Sequence, residues 1–136
     1  MNLDKREITI SSGETAWYEY DRKGDLLEII FRPGEATGTV ELTESIILRL
    51  DVDKAMPLSL SFISFSRLLP SQTYGELHFQ LLAEEWPEEI RNKIWTMLKT
   101  TPLSDFLKLS SYAPAHTHQI MPMAAIRQSH FVAQAA

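Results

Sequence analysis

The sequence predicts an α+β fold: an antiparallel β-meander of four to five strands, then two to three helices, then an irregular C-terminal tail. Three observations lead there. From Val40 to Phe62 apolar residues fall on even positions, the period of a half-buried strand. After Pro70 the period lengthens toward that of a helix. After Leu109 only one charged residue remains, Arg127, and no period is visible. The expected layout is therefore 1–69 as the meander, 70–109 as helices packed on it, and 110–136 as the tail, within one compact unit.

Residues 1–13 are polar around one short alternation, Ile8-Thr9-Ile10, closed by Ser11-Ser12-Gly13. That suits a short edge strand or a loose arm. Trp17 to Tyr20 is the first full strand. Asp21-Arg22-Lys23-Gly24-Asp25 is a turn, because Gly24 can take φ > 0 and aspartates favour turns. Leu26 to Phe31 closes the hairpin, and Arg32-Pro33-Gly34 with Gly38 interrupts the ladder. Val40, Leu42, Ile46, Leu48 and Leu50 then alternate with Glu41, Thr43, Ile47, Arg49 and Asp51. Glu44-Ser45 keeps the parity, so a bend or bulge would suffice there. Asp51 to Pro57 supplies the next turn. Leu58, Leu60 and Phe62 resume the apolar face, while Ile63 and Phe65 suggest cover on both sides at the end. Ser59, Ser61, Ser64 and Ser66 read as a wet face. Trp17, Leu27, Ile29, Phe31 and the even-numbered residues need a covering layer, from the helices or from a second copy of the sheet.

Tyr18-Glu19-Tyr20-Asp21, Asp25-Leu26-Leu27-Glu28-Ile29, Ile46 to Asp53, Pro57-Leu58 and the closing Ser66-Arg67-Leu68-Leu69 resemble a small bacterial family, catalogued as domain of unknown function 2283. The resemblance covers roughly residues 15–69. It departs from the family pattern at Lys54-Ala55-Met56, where a Gly-containing turn is usual, and some 65 residues follow it. It implies a compact meander and carries over no catalytic residue.

Beyond Pro70, Tyr74, Leu77, Leu81 and Leu82, with Phe79 and Trp86, fit a helical stripe, capped by Ser71 or Thr73. Trp86-Pro87 breaks it. Pro87 suits the first turn of a second helix, with Glu88-Glu89 at the positive end of its dipole and Ile90, Ile94, Met97 and Leu98 as its apolar face. Thr100-Thr101-Pro102 stops it, and a short third helix is expected from Pro102 to about Leu109. Ile120, Met121, Met123, Ile126, Phe131 and Val132 make the tail too apolar to be solvated throughout, so part of it should dock.

The chain has 136 residues, 44% hydrophobic and 23% charged, with a net charge of −5 and a pI near 5.3. An acidic surface argues against nucleic acid as a partner. The absence of cysteine excludes disulfides, thiol catalysis and cysteine-held zinc. No apolar run has the length of a membrane span, and no apolar segment follows the polar start, so neither membrane insertion nor a signal peptide is expected. A cytoplasmic protein is the default.

Chemistry-bearing motifs are sparse. His116 and His118, two apart, would project to one side of an extended segment and hold a metal if His130 or a carboxylate joined them. Exposed loop histidines are the plainer reading. Asp51-Val52-Asp53, and Asp21 with Asp25, read as turn caps rather than acid–base pairs. His78 reads as a structural residue within a helix. No serine lies in a G-x-S-x-G context, and no glycine-rich phosphate loop occurs. No catalytic residue and no cofactor are therefore assigned. Trp86, Arg91 and Trp95 on a helix, with Ile120, Met123 and Phe131 in the tail, are the residue types that concentrate in interfaces. The expected function is a non-enzymatic protein–protein interaction module acting as a homodimer. The alternatives are an antitoxin-like acidic partner of a basic protein, and a ligand- or metal-binding protein or enzyme with its site between sheet and helices.

Overall fold

The computed structural model describes residues 3–69, 75–113 and 119–127, with the backbone alone for Leu3 and Asp4. Six strands form one antiparallel sheet: β1 (Leu3–Thr9), β2 (Thr15–Asp21), β3 (Leu26–Ile30), β4 (Gly38–Glu41), β5 (Ile46–Asp51) and β6 (Met56–Ile63). Their spatial order is β1-β2-β3-β6-β5-β4. Two three-stranded meanders thus meet where β3 pairs with β6, Ile29 opposite Leu60. The sheet is not one continuous meander, because the loop after β3 carries the chain to the far edge. Hydrogen bonds hold that loop at both ends: Phe31 and Arg32 N–H donate to Leu58 O, and Thr37 N–H donates to Leu50 O.

Glu44-Ser45 sits in a full hairpin turn between β4 and β5. Thr43 Oγ1 accepts from the Ser45 and Ile46 N–H groups at 3.1 Å each, which closes the turn. Opposite Arg49 and Leu50 the register of β6 slips by one residue at Leu58. Pro57, which has no N–H to give a ladder, stands beside that bulge, where proline is tolerated.

The inner face of the sheet is dry. Leu27, Ile29, Ile46, Leu48, Leu50, Leu60 and Phe62 are all 0% exposed. The cover comes from the same chain. One α-helix, α1 (Glu88–Leu98), turns Ile90, Ile94, Met97 and Leu98 inward. A second, three-stranded sheet in the order β7-β9-β8 completes it, with β7 Phe79–Gln80, β8 Leu107–Tyr112 and β9 Met121–Ile126. One apolar cluster runs through both sheets and the helix.

The helical half departs most from expectation. One α-helix is present among the described residues, not two or three. In place of the first expected helix stand Gly75 (φ 69°) with a bend at Glu76, the two residues of β7 and a 3-10 turn at Ala83–Glu85. In place of the third stand a 3-10 turn at Leu103–Asp105 and then β8. Asp105 spends its carboxylate across the chain, accepting from Ser11 N–H at 2.8 Å and Ser11 hydroxyl at 2.7 Å. The tail, expected to be irregular, contributes β9, the central strand of the small sheet. Pro122 lies within it, although proline seldom occupies central strands. It is accommodated at the start of β9, where its carbonyl accepts from Leu81 N–H.

Three residues also differ from expectation in the side they take or in their exposure. Trp17 points outward, because Ala16 and Tyr18 are the inward residues of β2. Ile63 is 43% exposed rather than covered. Ser59 is buried, not wet, and its hydroxyl has no protein partner.

Candidate functional site

The outer face of the large sheet is built by the residues that alternate with the core. The register sets them in rows across the strands. One row carries Glu7, Trp17, Ile30, Ser59, Arg49 and Thr39. The next carries Lys5, Glu19, Glu28, Ser61, Ile47 and Glu41. A shorter row sets Leu26 opposite Ile63. On this face Trp17 is 42% exposed and Leu26 40%. A groove of about 310 Å³ opens over Trp17, Ile30 and Pro33, bounded by Lys5 and Glu19. Those two residues form a long ion pair of 3.9 Å, Lys5 being well exposed.

A polar relay lies on the small sheet. Glu76 Oε1 stands 3.2 Å from His78 Nε2, and His78 Nδ1 stands 3.0 Å from Ser110 Oγ. Lys108 Nζ reaches the same Glu76 oxygen at 3.5 Å. Ser110 and Lys108 belong to β8, whereas His78 precedes β7, and β9 runs between them. The residue of β9 opposite Lys108 is Ala125, which is 0% exposed. Its short side chain leaves room for groups from the two flanking strands to meet above it. In the tautomer whose Nε2–H donates to Glu76, His78 keeps a lone pair on Nδ1 that can accept a hydrogen bond from the Ser110 hydroxyl. Beside His78 a groove of about 400 Å³ runs to Thr43, Glu44 and Ser45 of the large sheet.

A third cluster ties the β2–β3 turn to the end of β6. Asp25, at φ 51°, accepts from the Tyr20 hydroxyl at 2.7 Å, the Ser66 hydroxyl at 2.6 Å and Ser66 N–H at 3.0 Å. Burial pushes the Asp25 carboxyl up, but the Ser66 and Tyr20 hydrogen bonds and the charge of Arg67 outweigh it and hold the group below its ordinary value. The Tyr20 hydroxyl is pushed up to about 12, first by its hydrogen bond to Asp25, then by burial and by the Asp25 charge. This cluster joins three of the stretches on which the sequence resemblance rests. Its work is structural: it closes a turn and anchors the 3-10 turn Phe65–Arg67.

The residues singled out from sequence fall unevenly. Trp86 is 2% exposed, donates its indole N–H to Glu41 O at 2.8 Å and meets Trp95 edge to face at 5.2 Å. Arg91 donates to the carbonyls of Trp86 at 2.9 Å and Glu84 at 3.3 Å. That trio pins the helix to β4. Ile120 is 69% exposed beside the start of β9, and Met123 is half-buried opposite Ser110. His116, His118, His130 and Phe131 lie outside the described residues. Among the described residues no three metal-ligating side chains converge. Asp51 accepts from Lys54 N–H and Asp21 from Lys23 N–H, both at 3.1 Å, as turn caps.

Sequence reasoning missed the outer face and the relay. The parity of β2 was the available signal for Trp17. No signal joined His78 to Ser110, since 32 residues separate them. Among the described residues no helix is long and apolar enough to cross a membrane. No family model, no curated protein and no solved structure matches this chain.

Proposed function

We propose that the protein is a protein–protein interaction module that works as a homodimer through the outer face of its large sheet. One observation carries this reading. The chain covers the inner face completely, yet leaves Trp17, Leu26 and Ile63 each 40% or more exposed on the opposite face. Large apolar side chains gathered on one face mark a surface that meets another protein. The mixed charges around them suit a second copy better than a strongly basic partner, which the antitoxin-like alternative would require. Light scattering across a concentration series tests this. A dimer that Trp17→Glu converts to a folded monomer supports the reading, and a wild-type monomer at every concentration removes it.

A second reading, a small hydrolase, is favoured by the Glu76–His78–Ser110 relay. In that reaction Ser110 Oγ attacks an ester carbonyl as its proton passes to His78 Nδ1. The alcohol then leaves with that proton, and water releases the acyl group from the serine. A fluorophosphonate probe tests it: label at Ser110 that is lost in His78→Ala supports the reading, and an unlabelled folded protein ends it.

A further inference from the structure

We propose that two copies stack their outer sheet faces about a two-fold axis parallel to the strands, passing between β3 and β6. This rests on the homodimer reading above and specifies its geometry. The argument begins with the strand order, β1-β2-β3-β6-β5-β4, whose centre lies between β3 and β6. An axis along the strands at that centre lays β1 over the partner's β4, β2 over its β5 and β3 over its β6. It also keeps each row of the register over the same row. Stacked sheets lie about 10 Å apart with their strands roughly aligned, so side chains in facing rows meet.

The facing groups are complementary. Lys5 of one copy faces Glu41 of the other in the same row, and both are exposed. Trp17 faces Arg49, an arrangement that sets a guanidinium over an indole. Leu26 faces Ile63, which joins the two exposed aliphatic side chains of the face. Glu28 faces Ser61, a hydroxyl able to donate to it. Each of these contacts occurs twice in the dimer.

The competing arrangements lack this match. A two-fold axis across the strands lays each strand over itself in reverse: run midway between the two rows it buries Glu19 and Glu28 against Trp17 and Ile30, and run through the Lys5 row it sets Lys5, Glu19, Glu28 and Glu41 each against its own copy. Like charges facing one another across a closed interface oppose association. Joining edge to edge through β1 meets Asp4-Lys5-Arg6-Glu7, the run of charge that guards edge strands against pairing. Pairing Lys5 with Glu7 there would set Arg6 against Arg6.

Charge reversal tests the geometry. Lys5→Glu alone sets carboxylate against carboxylate at both copies of this contact, and Glu41→Lys alone sets ammonium against ammonium at both. Each should weaken its own dimer by about tenfold. Mixed together, the two variants bring opposite charges into register at both contacts, one reversed and one as in the wild type, so the heterodimer should form in preference to either homodimer. Circular dichroism confirms that each variant is folded. Because the chain has no cysteine, Glu19→Cys and Ile47→Cys, which face each other in the same row, give a second, independent readout with a short bismaleimide. The mixture should cross-link, and Glu19→Cys alone should not, because its two copies lie three strand spacings apart, about 14 Å sideways. A wild-type dimer whose mass ignores both reversals, or a Glu19→Cys protein that cross-links to itself, overturns this stacking and leaves the homodimer reading standing. A wild-type monomer overturns both.

Discussion

The two faces of the six-stranded sheet share the same strands and treat water in opposite ways. Phe62 is 0% exposed and Ile63, the next residue, is 43% exposed. Alternate side chains leave a strand on opposite faces, so neighbours in sequence belong to different environments. The inner face finds cover within the chain, from α1 and the small sheet. The outer face keeps charged residues such as Lys5 and Arg49 among its apolar ones. One face therefore holds the fold, and the other is free to change without unfolding the protein.

The largest test of that division compares adjacent residues. Phe62→Ala should cost about 3–5 kcal/mol, because it empties a packed site that cannot fully collapse. Ile63→Ala should stay within about 0.5 kcal/mol of wild type in dilute solution. Urea denaturation at low protein concentration measures both. Equal losses would mean that the outer face is already covered in the monomer.

Next in size is the Asp25 cluster, which spans the edge between the faces. Asp25→Ala strands two hydroxyls and an amide and should cost roughly 1–3 kcal/mol. Asp25→Asn isolates the pH dependence. Asp25 has a lowered folded value, so its contribution is present above the unfolded carboxylate value, about 3.9, and is lost as pH falls through the folded one. Tyr20 is raised from 10.0 to about 12. Its contribution is therefore present below about pH 10 and is lost as pH rises toward about 12. Melting temperature against pH should flatten at both ends in Asp25→Asn. Unchanged limbs would place the pH sensitivity elsewhere.

A smaller effect is expected where the cover is fastened to the sheet. Trp86→Phe keeps most of the packing but strands Glu41 O, for a loss of about 1 kcal/mol. The smallest change in stability belongs to Trp17→Glu, within about 0.5 kcal/mol. Its consequence is read in solution mass, as the loss of the dimer. A destabilised Trp17→Glu would show that the outer face also contributes to the fold.

Much of this was legible in the chain. The alternation of Val40, Ile46, Leu48, Leu50, Leu60 and Phe62 placed three strands with their buried face correct. Ile90, Ile94, Met97 and Leu98, with Pro87 and two glutamates before them, placed the helix. What misled was the stretch of short elements. Leu77, Phe79, Leu81 and Leu82 fit a helical period as well as a two-residue strand followed by a turn, and a strand that short carries no period of its own. The relay was invisible for another reason. His78 and Ser110 meet only because the small sheet brings together segments distant in sequence.

Local periodicity and turn chemistry dictate the β-rich character of the first half, its turns, most of the inward set of residues and the helix Glu88–Leu98, and all of these can be read from the chain alone. The strand order, the second sheet and the outer-face rows arise only when the chain has folded. They depend on which distant segments pair, and a strand's hydrogen-bonding edges are alike whichever partner they meet. Met121–Ile126 shows this most clearly. Its small and apolar residues, with a proline among them, suit a loose tail until Leu107–Tyr112 and Phe79–Gln80 take up its backbone and the core closes over Ala124.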